Sequence, residues 1–365
     1  MKLLGDYEAF DDEIINRLIK SLKIPLPSLQ NPQSQKEILF PARIIYLVAK
    51  QMMKYGFRKE YERLFANVMM TIQERVYDFE EDDAILPGAY WLSNVHELLS
   101  FEWHDYEKLV SIIKQDLESL EYNIYCIMMK ELKKRLYKMA IPAIIESQSL
   151  PGFIVKDSMS GSNRFLKTLK TKPVAPIFSM DDLLDFLNKI WEAMKSYYVE
   201  MAIIRQVVIE LLKLAGITSF NDLLMRRNFN GWKRALQIYY NITRIEEWCK
   251  NHEIPEGTLQ LEHLLEAVKL LQQEKRRLGD IEKIYDHYLM LSPFQIFRLI
   301  SNYFPADYEE PIGPVILKYV ASRAADDKKP LLLDTTPLED PGPFEVPLPR
   351  ELDPPDNYIP AWYDF

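Results

Sequence analysis

The acidic run DDLLD (181–185) is the first candidate for chemistry. Asp181, Asp182 and Asp185 have the DDxxD spacing that can hold magnesium and a diphosphate. That chemistry needs carboxylates about one helical turn apart, facing a cavity. No second acidic motif follows downstream, and acids at a helix start also suit the helix dipole. The five histidines, at 96, 104, 252, 263 and 287, show no metal-ligand spacing and no pairing with Ser or Cys. Cys126 and Cys249 supply neither a disulfide framework nor a zinc site. The motifs GxxxxGK[ST] and GxGxxG do not occur. The sequence thus predicts no catalytic residue, no metal centre and no cofactor.

A second cluster, RRNFNGWKRALQIYYN (226–241), combines Arg226, Arg227, Lys233 and Arg234 with Phe229, Trp232, Tyr239 and Tyr240. Basic residues among aromatics bind single-stranded nucleic acid or anchor protein interfaces. Trp232, Leu236 and Tyr239/Tyr240 keep helical spacing, which places part of the aromatic set in a core. Arg244, Lys250 and the trio Lys275, Arg276 and Arg277 continue the basic character. Residues 330–365 hold eight acids and one base, and the rest of the chain balances 46 acids against 44 bases. The net charge of −9 therefore belongs mostly to one end, and the body lacks the basic excess of a nucleic-acid binder. A locally basic helical face on a nearly neutral body suits an acidic protein partner.

Helices must position these residues. The chain is 48% apolar with 11 glycines in 365 residues, and its apolar residues recur at three and four spacing. An all-α fold follows, and the length calls for two helical-bundle subdomains. Ser179 and Asp182 form a capping box opening a run without Pro or Gly until Gly216. This predicts one long helix over 180–214, about 50 Å, joining the two subdomains and capped by Gly216. Segment 149–178, rich in Ser, Lys, Gly and Pro, reads as a loop with hydroxyls for phosphorylation. Nine prolines after 329, interspersed with Phe344, Trp362 and other apolar anchors, predict an extended strap on the helical body. The resulting boundaries are 1–178, 179–325 and 326–365. The first residues are no signal peptide, and no apolar run approaches the ~20 residues of a membrane span. The two cysteines fit a reducing, intracellular setting.

LMRRNFNGWKRALQIYYNITRIEEWCKNH and LEHLLEAVKLLQ, within 224–272, resemble the dilute domain of the class V myosin globular tail. So do LFPARIIYLVAKQM (39–52), ILPGAYWLSNVHELLSF (85–101), LEYNIYCIMMKELKKRL (120–136), ESQSLPGF (146–153) and ADYEEPIGPVILKYVASR (306–323). PFEVPLPRE (343–351) resembles the fungal branch. The resemblance implies two all-α bundles joined through a long helix, with the strap returning to the first. It implies a cargo hook for Rab GTPases and for organelle and vesicle adaptors, able to dock on the motor head for autoinhibition. Actin, ATP and calmodulin-type light chains would engage parts of the motor outside this chain. It further implies a monomeric segment working in the cytoplasm, on actin-borne vesicles and at sites of polarized growth. Nothing in it calls for direct nucleic-acid contact or membrane insertion.

Three sites follow from the same resemblance. Trp232, Tyr240, Lys269 and Gln272 match a Rab-binding face. Asp116, Leu120 and Asn123 match an adaptor-binding helix, with Cys126 where Asn is usual. Arg234 and Arg298 match a head-docking pair, with Arg where Lys is usual. Two other identities compete: a dilute-domain scaffold without a motor, and an all-α prenyl-diphosphate enzyme using Asp181, Asp182 and Asp185.

Overall fold

The computed structural model describes residues 14–101, 107–153, 155, 176–306 and 309–335. The strap beyond 335 and most of loop 149–178 lie outside the described residues. The fold is all-α, as the periodicity predicts. Its main helices are α1 (Phe40–Lys54), α2 (Arg58–Tyr77), α3 (Ile85–Leu99), α4 (Glu107–Ala140), α5 (Met180–Ser196) and α6 (Met201–Met225). Then come α7 (Trp232–Asn251), α8 (Glu262–Gln272), α9 (Leu278–His287), α10 (Pro293–Ser301) and α11 (Pro314–Ala324). Among the described residues, one compact unit takes the chain up to Arg135 and Asn188–Gln206. The other takes Leu136–Leu187 and the chain from Val207 onward. This division differs from the sequence boundaries at 178/179 and 325/326. The chain changes unit inside α4, α5 and α6, where no Pro/Gly-rich linker marks the crossing.

The first unit is organised around α3, whose residues are buried almost all round. A helix without a polar face belongs at the centre of a bundle. Its aromatic residues Tyr90 and Trp91 meet edge to face, and Tyr90 meets Tyr197 in the same way, both at 5.5 Å. Asn94 is polar and buried, yet satisfied. Its Oδ1 accepts from Ala42 N at the start of α1, and its Nδ2 donates to the carbonyls of Ile38 and Tyr90. One amide thus closes backbone groups that a helix start leaves open.

The single helix expected over 180–214 is two helices. The Ser179–Asp182 capping box is present, with Ser179 N donating to Asp182 Oδ2 at 2.6 Å and Asp182 N donating to Ser179 Oγ at 3.2 Å. The helix stops at Ser196 because Tyr198 turns left-handed, φ 60°. Val199 N then bonds Met194 O and Tyr198 N bonds Lys195 O, a Schellman ending that Gly usually supplies. A tyrosine there costs about 1 kcal/mol or more. Long-range hydrogen bonds offset it: Tyr198 Oη donates to Gln33 O at 2.7 Å and Tyr197 Oη to Pro25 O at 2.6 Å.

The second correction concerns Gly216. It is no cap; α6 runs through it to Met225. A Cβ at Gly216 would collide with the Gln260 carbonyl oxygen. The glycine permits contact between α6 and the turn Pro255–Leu261.

Candidate functional site

α7 and α8 form a helical hairpin in the second unit, joined by the turn at Pro255–Leu261. Such a pair runs antiparallel, so the start of α7 lies beside the end of α8. Gly231 is the N-cap of α7, and there the chain is pinned to a later loop. Phe304 N donates to Asn230 O at 3.1 Å, and a Cβ at Gly231 would stand 2.9 Å from Phe304 O. The result is a solvent-open groove of about 390 Å³. Trp232, Gln272 and the following Gln273–Arg276 stretch line one part, and Tyr303 with Glu309–Gly313 the other.

Trp232 is half-buried, its ring 6.3 Å from that of Phe153. Phe153 is itself held by Gln237, whose side chain also accepts from Leu150 N at 3.1 Å. Gln272 is exposed, with Nε2 bonded back to Val268 O at 3.1 Å. Lys269, one turn earlier, is exposed, and Tyr240, two turns along α7, is half-buried. The structure therefore brings Trp232 and Gln272 into one groove and leaves Lys269 and Tyr240 further along the hairpin. An aromatic ring beside exposed amides and charges is the composition of an interface anchor.

Sequence reasoning assigned no site residue to segments 303–306 and 309–313, and it misread one lysine. Lys275 is not part of a basic surface trio; it is 6% exposed, while Arg276 and Arg277 are exposed. Its Nζ sits 4.3 Å above the Tyr303 ring. Lysine stems often cover aromatic faces, but only tertiary packing shows where.

The opening cluster also splits. Arg226 bonds Glu146 and Asp222, both at 2.6 Å, and Arg226 and Arg234 each lie over the Phe229 ring, at 5.0 and 4.6 Å. Arg234 is 2% exposed and donates to Glu146 O at 3.2 Å. A guanidinium held this way is turned inward, whereas a head-docking residue, as the resemblance implies for Arg234, would need surface access. Arg234→Met is expected to lower stability by about 1 kcal/mol through the lost stacking and hydrogen bond, measured by chemical denaturation. Arg298 keeps partial exposure and donates to Leu224 O at 3.2 Å.

On α4, Asp116 is exposed and Asn123 and Cys126 are half-buried. Leu120 departs from the expectation: at 3% exposed it belongs to the core. The rest of the pattern keeps one edge of the helix, since spacings of seven and three return to one side.

The DDLLD run does not converge on a cavity. Asp182 caps its own helix, and Asp181 pairs with Arg244 Nη2. Among the described residues no cluster of His, Cys, Asp or Glu could hold a metal ion. No helix among them is long and apolar enough to cross a membrane.

Groove and hairpin belong to an all-helical module. Residues 206–307 match the DIL domain family. The chain is 43% identical to Myosin-2 of Lachancea kluyveri and 37% identical to Myosin-2 of Saccharomyces cerevisiae, over 99% of its own length in both. It spans about a quarter of the length of these curated relatives (25% of each). The solved apo structure of the Myo2 globular tail superposes with a TM-score of 0.83 at 37% identity, covering 100% of this chain and 94% of that one. Other solved structures hold the Myo2 tail in complex with Inp2, with Mmr1 and with Smy1. The chain belongs to the class V myosin globular-tail family, the cargo-binding domains.

Proposed function

We propose that the α7–α8 groove docks a Rab GTPase and that this chain is the cargo-carrying end of a longer actin-based motor. One observation carries the Rab reading: Trp232 and Gln272, forty residues apart in sequence, line the same groove. Tyr240 and Lys269 extend that surface along the hairpin, giving an anchor ring, an amide and a cation to a partner of mixed polarity. Organelle and vesicle adaptors are assigned to the edge of α4 carrying Asp116, Asn123 and Cys126. Complexes of the related Myo2 tail with Inp2, Mmr1 and Smy1 support an adaptor role in general. Arg298 is the residue we assign to docking on the motor head, because it retains surface access. The cytoplasmic faces of vesicles on actin tracks are the proposed place of work.

The test is capture by the purified tail of a secretory Rab in its GTP and GDP states, beside Inp2, Mmr1 and Smy1. Rab–GTP is expected to bind at least about tenfold more tightly than Rab–GDP. Asp116→Arg with Asn123→Arg is expected to weaken one of the adaptors by about tenfold or more and to leave the Rab unchanged. Equal capture of the two nucleotide states removes the Rab assignment. Unchanged capture of all three adaptors removes the one on α4.

A further inference from the structure

Building on that groove, we propose that Lys275 is its positioning residue: the buried ammonium ties segments 303–306 and 309–313, which form one wall, to the end of α8. The contacts form an unbroken series. Lys275 Nζ donates to Leu271 O at 2.9 Å and to Gln273 O, and it stands 4.3 Å above the Tyr303 ring. Three N–H groups thus have two carbonyls and one π-face. Tyr303 Oη donates to the Glu309 carboxylate at 3.1–3.2 Å. That carboxylate also accepts from Ala306 N at 2.8 Å, and Glu309 N donates to Ala306 O at 2.8 Å. Removing the cation takes away the contact that links the Tyr303 ring, and through its hydroxyl Glu309, to the end of α8.

Among the described residues, the following groups lie around Lys275. Glu274 and Arg276 flank it, both exposed; the loop presents Tyr303, Glu309 and Glu310; the start of α7 brings Trp232, with Lys233 Nζ over the Trp232 ring at 5.9 Å. Burial lowers the Lys275 ammonium to about 8, with Glu309 pulling it back up. In the unfolded chain a lysine titrates near ~10.5. The folded state releases this proton first, so this group's contribution to fold stability rises between about pH 8 and 10.5. The attraction for the ring needs the charge, so the wall loosens over the onset of the same range. Unfolding would move the two quantities together; this device moves them apart.

The experiment is amide hydrogen exchange of the intact chain between pH 6.5 and 9.5, expressed as protection factors for 303–306 and 309–313. Wild-type protection is expected to fall with a midpoint near pH 8, by about tenfold, while α6 stays constant. Lys275→Arg, charged throughout and able to stack on the ring, should keep full protection without a pH step. Lys275→Met and Tyr303→Leu should both be loose at pH 7. An unchanged wall in Lys275→Met, or a pH step that persists in Lys275→Arg, overturns the proposal. A loosened wall with undiminished Rab capture supports the role of Lys275 and counts against the Rab assignment instead.

Discussion

Gln272→Arg combined with Tyr240→Glu is expected to lower affinity for a GTP-loaded secretory Rab by at least about 100-fold, with a melting temperature within a few degrees of wild type. The two parts of that statement have separate grounds. Gln272 is exposed and Tyr240 half-buried, so neither change opens a cavity in the core. Substitutions away from packed or networked groups seldom shift stability by more than about 0.5 kcal/mol. The half-burial of Tyr240 allows a somewhat larger cost, hence the few degrees. At an interface the same positions count for more. Arg replaces a neutral amide with a bulkier cation on the side of the groove next to Trp232. Glu removes an aromatic ring and adds a charge that must be desolvated on docking. Anchor residues each contribute about 2 kcal/mol or more, and 1.4 kcal/mol is tenfold. Two such losses on one hairpin exceed 100-fold even if they are not fully additive. Titration calorimetry, with thermal melting of the same samples, separates binding from folding. Wild-type affinity in the double variant would remove the Rab from this face.

The helices themselves were legible in the sequence, because apolar spacing and caps are local properties. Ser179 with Asp182 announced the start of α5, and both reciprocal hydrogen bonds are formed. What stayed hidden depends on residues distant in sequence. Among the described residues, three helices end in a left-handed residue followed by a Schellman pairing, at Gly56, Tyr198 and Glu253. Only Gly56 has the residue type that advertises such an ending. Tyr198 is held by the Gln33 carbonyl, 165 residues earlier in the chain, which no local pattern encodes. Buried charge was hidden for the same reason. Arg234 and Lys275 read as surface cations until Phe229 and Tyr303 are placed beneath them. The proposed docking face was half visible: Trp232 and Lys269–Gln272 follow from resemblance, whereas no site residue was expected in segments 303–306 and 309–313, which line the rest of the groove. Their place in the groove comes from the backbone pairing of Phe304 with Asn230.

Gly216→Ala should be the most destabilising of the conservative changes in the second unit. Two effects oppose each other. Alanine favours a helix interior over glycine by about 1 kcal/mol. Against that, the new methyl would overlap the Gln260 carbonyl oxygen and stand 3.2 Å from Leu261 Cδ2. A carbonyl in a turn cannot rotate away as the end of a long side chain can. The neighbouring contact leaves no slack either, since a Cβ at Gly257 would lie 2.8 Å from Leu212 Cδ1 and 3.1 Å from Cys249 Sγ. The turn Pro255–Leu261 must therefore shift as a body, and overpacking of this kind costs about 3 kcal/mol. The clash wins, by about 2 kcal/mol net, which lowers the melting temperature by roughly 4–8 °C. Gly279→Ala is the internal control: it lies in α9 with nothing within 4 Å of its added Cβ. There the helix preference acts alone, and stability should rise by up to about 1 kcal/mol. Opposite signs at two helical glycines would establish close approach as the cause at Gly216, and equal stabilisation at both would refute it. The turn that Gly216 supports leads directly into α8, which carries Lys269 and Gln272. Displacing it moves those residues relative to Trp232. Gly216→Ala should thus weaken Rab capture even below its melting temperature, although position 216 lies outside the groove lining.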